Sequence, residues 1–373
     1  MRKYARTRVA GIAFAIVAAV IVAAPAAAQA GQSTVGPQLL QDESCPAGFR
    51  SVVPDAASLL ANGVDALVSP GASDAERHAV ENDPVIQWGV AHHAQWIAAK
   101  CAVTNVTAGP ADRTHSALSN GSKTYTNWSG WQFTGPGTGY NYYNFAGMQW
   151  TVPAAEFGVL TTQRDVSIWP GLGTGDSASD VLVQAGTQTT SGPAGVQATY
   201  PWTEIYPVQP TEIQITNLPE PAGEAVFTTV WATPQYHAQA TVQLEICNQT
   251  HYQCVLIHET VPTGGTFTGQ TAEFVVERPG ITGGAYSELD NFSAEQVTWA
   301  QATAWSNKAA NPSPTIWATN ASWAGETTDK ITMKSCNRST TLAEPSNVPS
   351  GATGSPKGSF IVLWENHGSL ESC

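Results

Sequence analysis

The sequence predicts an all-β protein, an antiparallel β-sandwich preceded by a small, partly helical N-terminal region. From about Lys123 onward Thr, Val, Trp, Tyr and Phe dominate, and these residues favour strands. Apolar residues recur there at every second position, as in AQATVQLEIC, where Val242, Leu244 and Ile246 share one face. Because Gly and Pro interrupt the runs, we expect about a dozen strands between Lys123 and Trp364.

The first thirty residues have the layout of a secretory signal peptide. A cationic stretch over residues 1–8 precedes an apolar run from Val9 to Ala24, and Ala28-Gln29-Ala30 offers small residues for cleavage. We therefore predict that residues 1–30 are removed and that the mature protein is secreted. The alternative, an uncleaved membrane anchor, would need a longer apolar run, since a span takes about 20 residues.

Charge excludes one broad class of function. The 373 residues include 29 acidic but only 16 basic side chains, which gives a formal net charge of −13. Because so few Lys and Arg are available to follow phosphate backbones, nucleic acid is excluded as a partner. The hydrophobic content of 42 %, with 13 Trp, is ample for a large folded core.

Export would place the cysteines in an oxidising compartment, where an even number favours disulfides. The segment CNQTHYQC is typical of a hairpin tip that its two cysteines would staple. We predict that all the cysteines pair in sequential order. They are Cys45, Cys101, Cys247, Cys254, Cys336 and Cys373.

Residues 31–122 are of mixed composition and form the predicted N-terminal region. Ser73-Asp74-Ala75-Glu76 has the pattern of a capping box and predicts a helix to about Asn82. The segment from Pro84 to about Lys100 predicts a second helix. A polar stretch without periodicity over 104–123 predicts a linker, and residues 337–358 predict a long surface loop.

The common catalytic signatures are missing from the sequence. It contains no HExxH zinc motif, no GxSxG nucleophile elbow, no Asp-Thr-Gly or Asp-Ser-Gly of aspartic peptidases, and no glycine-rich phosphate loop before a helix. We therefore expect neither a metal nor another cofactor. A secreted sandwich of this kind either uses another set of side chains or catalyses no reaction.

Four predicted strands offer polar or aromatic side chains on one face. Alternation turns Gln184 away from the core in SASDVLVQAGT, and it turns Glu273 away from the core in TAEFVVE. If these strands are neighbours, their shared face is a groove; the alternative is a solvated sheet face with incidental polar residues. The other two strands would add Trp202, Glu204 and Tyr206 from PWTEIYP and Trp169 from SIWPGLG.

The order of six short segments resembles the glutamic peptidases, or eqolisins. Each segment is weak alone, but six in the right order between residues 127 and 277 are a specific signal. The resemblance covers roughly residues 123–366. The segments are Asn127-Trp128-Ser129-Gly130, Trp150-Thr151-Val152-Pro153, Trp169-Pro170-Gly171-Leu172-Gly173, Val181-Leu182-Val183-Gln184-Ala185-Gly186, Trp202-Thr203-Glu204-Ile205-Tyr206-Pro207 and Ala272-Glu273-Phe274-Val275-Val276-Glu277.

The resemblance implies a concanavalin A-like β-sandwich with a catalytic Gln/Glu dyad, and the matching positions are Gln184 and Glu273. In peptide hydrolysis a Glu can activate water and return the proton to the leaving amine, while a Gln amide can stabilise the oxyanion. Protein or peptide substrates and an acidic working pH follow, since a free Glu side chain has a pKa of about 4.3. The residues expected to support the dyad or to line the substrate site are Glu204, Trp169, Trp202 and Tyr206.

The chain departs from the family pattern in its acidic residues. Fungal members tend to carry an Asp at the positions of 173–174 and another at 200–201, where this chain has Gly-Thr and Tyr-Pro. Both differences affect the expected pH profile and subsites. Glu277 shares a face with Glu273 by alternation and is its main rival for the carboxylate role.

The resemblance also implies a precursor, with residues 31–122 as an N-terminal prosegment, 123–373 as the catalytic domain and cleavage near 104–124. Four of the eight His lie in the prosegment, which suggests the hypothesis that acid loosens it. The mature protein is expected to be a monomer that does not bind membranes. Two alternatives stay open: a carbohydrate-binding or glycan-cleaving sandwich, suggested by the Trp count, and an inactive peptidase relative with a binding role.

Overall fold

The computed structural model describes the chain from residue 37 onward, with gaps. Its described residues form 24 strands, three α-helices and one 3-10 helix. The predicted signal peptide and most of the predicted linker lie outside the described residues. The described ranges are 37–69, 71–72, 74–107, 121–135, 141–154, 162–173, 181–193, 197–209, 211–232, 241–261, 267–281, 284–292, 294–306, 315–317, 327–345 and 358–372.

The N-terminal region mixes short strands and helices, as predicted. The helix predicted to end near Asn82 is present, although Ser73 of its capping box lies outside the described residues. The elements are β1 (Gln38–Leu40), β2 (Arg50–Val53), α1 (Ala56–Asn62), the 3-10 helix (Gly63–Leu67), α2 (Asp74–Asn82), α3 (Pro84–Ala91), β3 (Gln95–Trp96), β4 (Cys101–Val103) and β5 (Val106–Thr107).

The prediction that the second helix runs to about Lys100 is wrong. Asp83 caps the helix N-terminus by accepting hydrogen bonds from the next backbone N–H groups, but the helix ends at Ala91. His93 then adopts a φ of 54°, which turns the chain out of the helix. The residues beyond it are extended, because Gln95 and Trp96 pair in parallel with a distant strand.

The β-sandwich begins at Ser122. The strand predicted from AQATVQLEIC is β14, and its alternating residues enter the core as expected. The strands are β6 (Ser122–Tyr125), β7 (Trp128–Thr134), β8 (Asn141–Thr151), β9 (Arg164–Gly173), β10 (Leu182–Ser191), β11 (Gln197–Tyr206), β12 (Ile213–Ile215), β13 (Ala225–Ala232), β14 (Thr241–Asn248), β15 (Gln253–Thr260), β16 (Thr271–Glu277), β17 (Gly280–Ile281), β18 (Ala285–Tyr286), β19 (Glu288–Leu289), β20 (Ala294–Ser306), β21 (Thr315–Trp317), β22 (Thr327–Lys334), β23 (Thr341–Pro345) and β24 (Gly358–Trp364).

Two antiparallel layers form the sandwich. The front layer has the strand order β11-β10-β9-β16-β7-β22, and the back layer has the order β20-β8-β13-β14-β15. Strands β23 and β24 connect the two layers at one edge. The main core lies between the layers and includes Val183 and Phe274 from the front and Met148, Val230 and Leu244 from the back. This arrangement confirms the predicted all-β sandwich.

The N-terminal region packs on the outer face of the back layer and also pairs with edge strands of both layers, since β12 pairs with β11 of the front layer. Strands β2 and β3 both pair with β15, and β4 pairs with β12. A second apolar cluster joins Val85, Ile86 and Trp96 of this region to Phe227 and Trp231 of β13. The polar face of β14 is therefore buried as well, whereas its sequence pattern predicts a half-buried strand.

The disulfides follow the predicted sequential order where the structure describes them. Cys45 pairs with Cys101, and Cys247 pairs with Cys254 directly across the β14–β15 hairpin. Cys336 is also disulfide-bonded, while Cys373 lies outside the described residues. The loop predicted over 337–358 is wrong in part, because residues 341–345 form β23 and pair with β22 and β24.

Candidate active site

The outward face of the front layer carries the predicted site residues. In β10, Val183 and Ala185 point into the main core, so that Gln184 points outward. In β16, Phe274 belongs to the same core and Glu273 points outward. The alternation that the sequence predicts for both strands is confirmed.

Strand register places these residues in one row across six strands. Gln184 is the direct partner of Gly171 in β9, and Glu273 is the direct partner of Gly171 from the other side. Direct partners in antiparallel strands project to the same face. The complete row is Glu204 (β11), Gln184 (β10), Gly171 (β9), Glu273 (β16), Gln132 (β7) and Asp329 (β22).

Gly171 lies between the strands of Gln184 and Glu273, and the ring of Trp169 packs against it. Two strand spacings separate the backbones of Gln184 and Glu273, which is about 10 Å. A Cβ on Gly171 would lie 2.8 Å from the ring of Trp169 and 3.2 Å from Leu182, so only glycine fits there. The two long side chains therefore project from the same sheet face, one strand to either side of Gly171.

Glu204 orients the amide of Gln184. Gln184 Nε2 donates to Glu204 Oε2 over 3.1 Å, and both side chains are fully buried. An ionised carboxyl group only accepts hydrogen bonds, so this contact fixes which end of the amide is the nitrogen. The NH₂ end of the amide is thereby held on the side of Glu204. Glu204 thus lies where the sequence analysis expects a support for the dyad.

A second amide contacts Glu273 from the opposite side. Gln132 Nε2 donates to Glu273 Oε1 over 3.0 Å, and Gln132 Oε1 accepts from Lys123 Nζ over 2.5 Å. Lys123 also pairs with Asp329 at 2.9 Å. Sequence analysis missed Gln132, Lys123 and Asp329, although alternation in NWSGWQFT could have placed Gln132 on the outward face.

An aromatic layer lies beside the polar row. Trp169 and Trp202 are fully buried in a third cluster that also contains Trp128 and Tyr206. The rings of Trp128 and Trp169 meet edge to face with centroids 5.0 Å apart. The structure thus brings the predicted lining residues together beside the row.

The rival carboxyl group, Glu277, lies four residues along β16, about 13 Å from Glu273. Glu277 Oε2 accepts from Trp169 Nε1 over 2.7 Å, and Oε1 accepts from Asn127 Nδ2 over 3.1 Å. Burial raises the pKa of Glu277 well above its usual range. Its contacts anchor the aromatic layer rather than Gln184.

A further buried acid, Glu212, was not found by sequence analysis. Tyr200 Oη donates to Glu212 Oε2 over 3.2 Å, and Ser167 is 3.5 Å from the other oxygen. Burial raises the pKa of Glu212 well above its usual range, and the nearby Glu204 raises it further. Tyr200 stands where the family pattern predicts an Asp. In this chain its hydroxyl group contacts the carboxyl group of Glu212 instead.

The predicted groove is buried in this structure. Glu273 is 1 % exposed and Gln184 is 0 % exposed, whereas the sequence predicts side chains that line an open surface. Gly173 matches the other departure from the family pattern, and a Cβ there would lie 3.1 Å from Glu273 Oε1. Glycine at 173 thus keeps this side of Glu273 uncrowded.

Among the described residues, His, Cys, Asp and Glu side chains form no group of three or more that could hold a metal ion. None of the described helices combines the length and the hydrophobicity that crossing a membrane requires.

An all-β sandwich that sets a carboxyl group opposite a carboxamide on one sheet face suits a hydrolase that activates water with a carboxylate. The sequence model of the peptidase A4 family matches residues 126–343, more than half of the chain. The protein belongs to this family of glutamic peptidases, and it is a peptide-bond hydrolase. This assignment does not favour the glycan-cleaving alternative.

Several solved glutamic peptidases are similar to this chain. Scytalido-glutamic peptidase with a transition-state analogue inhibitor is 17 % identical, over 64 % of this chain and 98 % of its own, with a TM-score of 0.47. SCP-B, an eqolisin in complex with the tripeptide Ala-Ile-His, has the same identity and coverage and a TM-score of 0.41. Aspergilloglutamic peptidase from Aspergillus niger is 19 % identical, over 54 % of this chain and 99 % of its own, with a TM-score of 0.39. No curated protein matches the sequence.

Proposed function

We propose that this protein is a secreted acid endopeptidase in which Glu273 and Gln184 form the catalytic dyad. One observation carries the proposal: both residues are direct cross-strand partners of Gly171, so their side chains project from the same sheet face, one strand to either side of that glycine. A water molecule and the scissile carbonyl group would lie between the Glu273 carboxyl group and the Gln184 amide.

Glu273 is the general base and then the general acid. Its carboxylate takes a proton from the water, whose oxygen attacks the carbonyl carbon and forms a tetrahedral intermediate. The carboxyl group then gives that proton to the amide nitrogen, the C–N bond breaks, and Glu273 returns to its ionised form. Glu273 alone thus takes up the proton and returns it, first as general base and then as general acid.

Gln184 stabilises the negative charge that forms on the carbonyl oxygen. Glu204 orients the Gln184 amide through Nε2, and this NH₂ group would donate to the oxyanion once substrate is bound. A donor of this kind is worth about 3 kcal/mol of transition-state stabilisation. Glu204 thus acts through Gln184, as a positioning residue.

The buried carboxyl groups on this face favour catalytic activity at acidic pH. Burial raises the pKa of Glu277, of Glu212 and of Asp165, so that these groups are neutral at low pH and do not repel the ionised Glu273. At higher pH each would become a buried negative charge, which is costly. We therefore expect the optimum below neutral pH.

The proposal includes a processed precursor. Residues 1–30 would be removed on export, and cleavage near 104–124 would separate the prosegment from the catalytic domain. The second apolar cluster, which joins Val85, Ile86 and Trp96 to the back layer, would be exposed if the prosegment left. We therefore propose that the cleaved prosegment stays docked, so that both fragments elute together in size-exclusion chromatography.

The test is casein hydrolysis by the purified secreted protein between about pH 2 and pH 7, where a carboxylate base should titrate. The wild type should cleave casein in acid, and Glu273→Gln should abolish cleavage. Gln184→Ala should lower kcat by about a hundredfold, the usual effect of removing one oxyanion donor. Undiminished cleavage by Glu273→Gln would overturn the dyad.

A further inference from the structure

A hydrogen-bonded chain leads from a buried lysine to the proposed general base. Lys123 Nζ donates to Gln132 Oε1 over 2.5 Å, and Gln132 Nε2 donates to Glu273 Oε1 over 3.0 Å. Asp329 accepts from Lys123 at 2.9 Å. All four residues are buried, so water weakens these contacts little.

The chemistry of Lys123 decides the orientation of the Gln132 amide. An ammonium group has three donors and no acceptor, so the amide end that faces it must be the oxygen. The nitrogen end then faces Glu273 and donates to it. While Lys123 is in place, the Gln132 amide therefore cannot flip to exchange its oxygen and nitrogen ends.

Strand register explains why these groups meet. Gln132 is the direct partner of Glu273 on one side and of Asp329 on the other, and β6, which carries Lys123, runs beside β22. The charged groups that face Glu273 in this row are Lys123 and Asp329 on one side and Glu204, beyond Gln184, on the other. Its neighbours in β9 at this level are the uncharged Gly171 and Gly173.

We infer that Gln132 is a positioning residue for Glu273, which it holds through Oε1 so that the proton of the reaction is carried by Oε2. The inference rests on the proposed role of Glu273 as the base. A fixed donor at Oε1 stabilises the ionised carboxyl group and keeps a proton off that oxygen. The Lys123–Asp329 pair fixes the donor in turn and strengthens it by polarising the amide.

The pH profile of kcat/KM tests this inference, because its acid limb reports ionisation of the base in the free enzyme. Gln132→Met keeps the length of the side chain and removes the donor, so the carboxylate loses stabilisation. The acid limb should move to higher pH by about one unit, and KM should change little. Lys123→Met should move it in the same direction by less.

Lys330, which follows Asp329 in β22, offers a matched control for Lys123→Met. Lys330 pairs with Glu344 at 3.6 Å but is about one-third exposed, so Lys330→Met removes a lysine and an ion pair without touching the row. Its acid limb should match that of the wild type. An unshifted limb in an active Gln132→Met enzyme would overturn the inference, as would an equal shift in Lys330→Met.

The same assay separates this inference from the proposed dyad. If Glu273→Gln remains active, the role of Glu273 as base fails and the inference fails with it. If Glu273→Gln is inactive and the Gln132→Met profile is unchanged, the dyad stands and only the role of Gln132 is overturned. Far-ultraviolet circular dichroism of each variant shows that the comparison is between folded proteins.

Discussion

A buried pair of carboxyl groups joins helix α3 to the back layer and makes stability depend on pH. Asp83 and Glu245 are both fully buried and are hydrogen-bonded to each other, which requires a proton on one of them. The hydroxyl of Thr229 lies 2.7 Å from Asp83 and 3.0 Å from Glu245. The folded pair therefore retains a proton that the unfolded chain gives up at about pH 4.

The sign of the effect follows from the pKa values. Burial raises the pKa of Asp83, and burial together with the charge of Asp83 raises the pKa of Glu245 well above its usual range. Stability from the pair is complete below the unfolded pKa values and is lost as pH rises through the folded ones. One retained proton gives a slope of about 1.4 kcal/mol per pH unit, or roughly 2.7 kcal/mol over two units.

Glu245→Gln removes this dependence. The new amide can donate to an ionised Asp83, which also accepts from Thr229, so the pair no longer needs a proton. Urea unfolding followed by Trp fluorescence from about pH 4.5 to about pH 6.5 should show a slope smaller by about 1.4 kcal/mol per unit. A Glu273→Gln background would prevent self-digestion during the measurement.

Glu81→Gln is the control, because Glu81 is an exposed acid on α2. Its unfolding free energy should fall with pH as steeply as that of the wild type. A Glu245→Gln slope equal to the wild-type slope would refute the retained proton. The predicted sign also opposes the hypothesis that acid loosens the N-terminal region, because this contact is strongest in acid.

Two other predictions concern the row and the framework. Gly171→Ala would place a Cβ 2.8 Å from the ring of Trp169, so we expect a loss of about 1–3 kcal/mol in unfolding free energy. We also expect at least about a tenfold fall in kcat/KM, because the methyl group would displace the Trp169 ring beside the dyad; wild-type kinetics would contradict this. Replacing Cys45 and Cys101 by Ser opens a link between residues 56 apart in sequence, which should lower the unfolding free energy by about 4 kcal/mol. Urea midpoints measure this loss, and an unchanged midpoint would contradict it.

The sequence predicts well what depends on local periodicity. Alternation places Gln184 and Glu273 outward correctly, since successive residues of any strand point to opposite faces. Alternation also places Glu277 on the same face, but it cannot give the hydrogen-bond partners of Glu277. These partners depend on which strands are neighbours: the hydrogen bond from Trp169 to Glu277 joins residues that are 108 apart in sequence.

Other features depend on contacts that the sequence does not display. The segment after Ala91 has helical composition, yet Gln95 and Trp96 are extended because they pair with a strand near residue 253. Gln132 contacts Glu273 across 141 residues of sequence. The polar residues of β14 predict a solvent-exposed face, but helix α3 covers that face. In each case tertiary pairing decides against local preference.

The central claim is that Glu273, rather than Glu277, is the general base. The most direct measurement is kcat/KM on a fluorogenic peptide for Glu273→Gln and Glu277→Gln, at the acidic optimum of the wild type. We predict a loss of at least about a thousandfold for Glu273→Gln, since both proton transfers fail. For Glu277→Gln we predict a loss of less than about tenfold, since Glu277 contacts Trp169 and Asn127 rather than the dyad and the Asn127 amide can turn to accept from the new NH₂ group. The reverse order of losses, or substantial activity in Glu273→Gln, would contradict the claim.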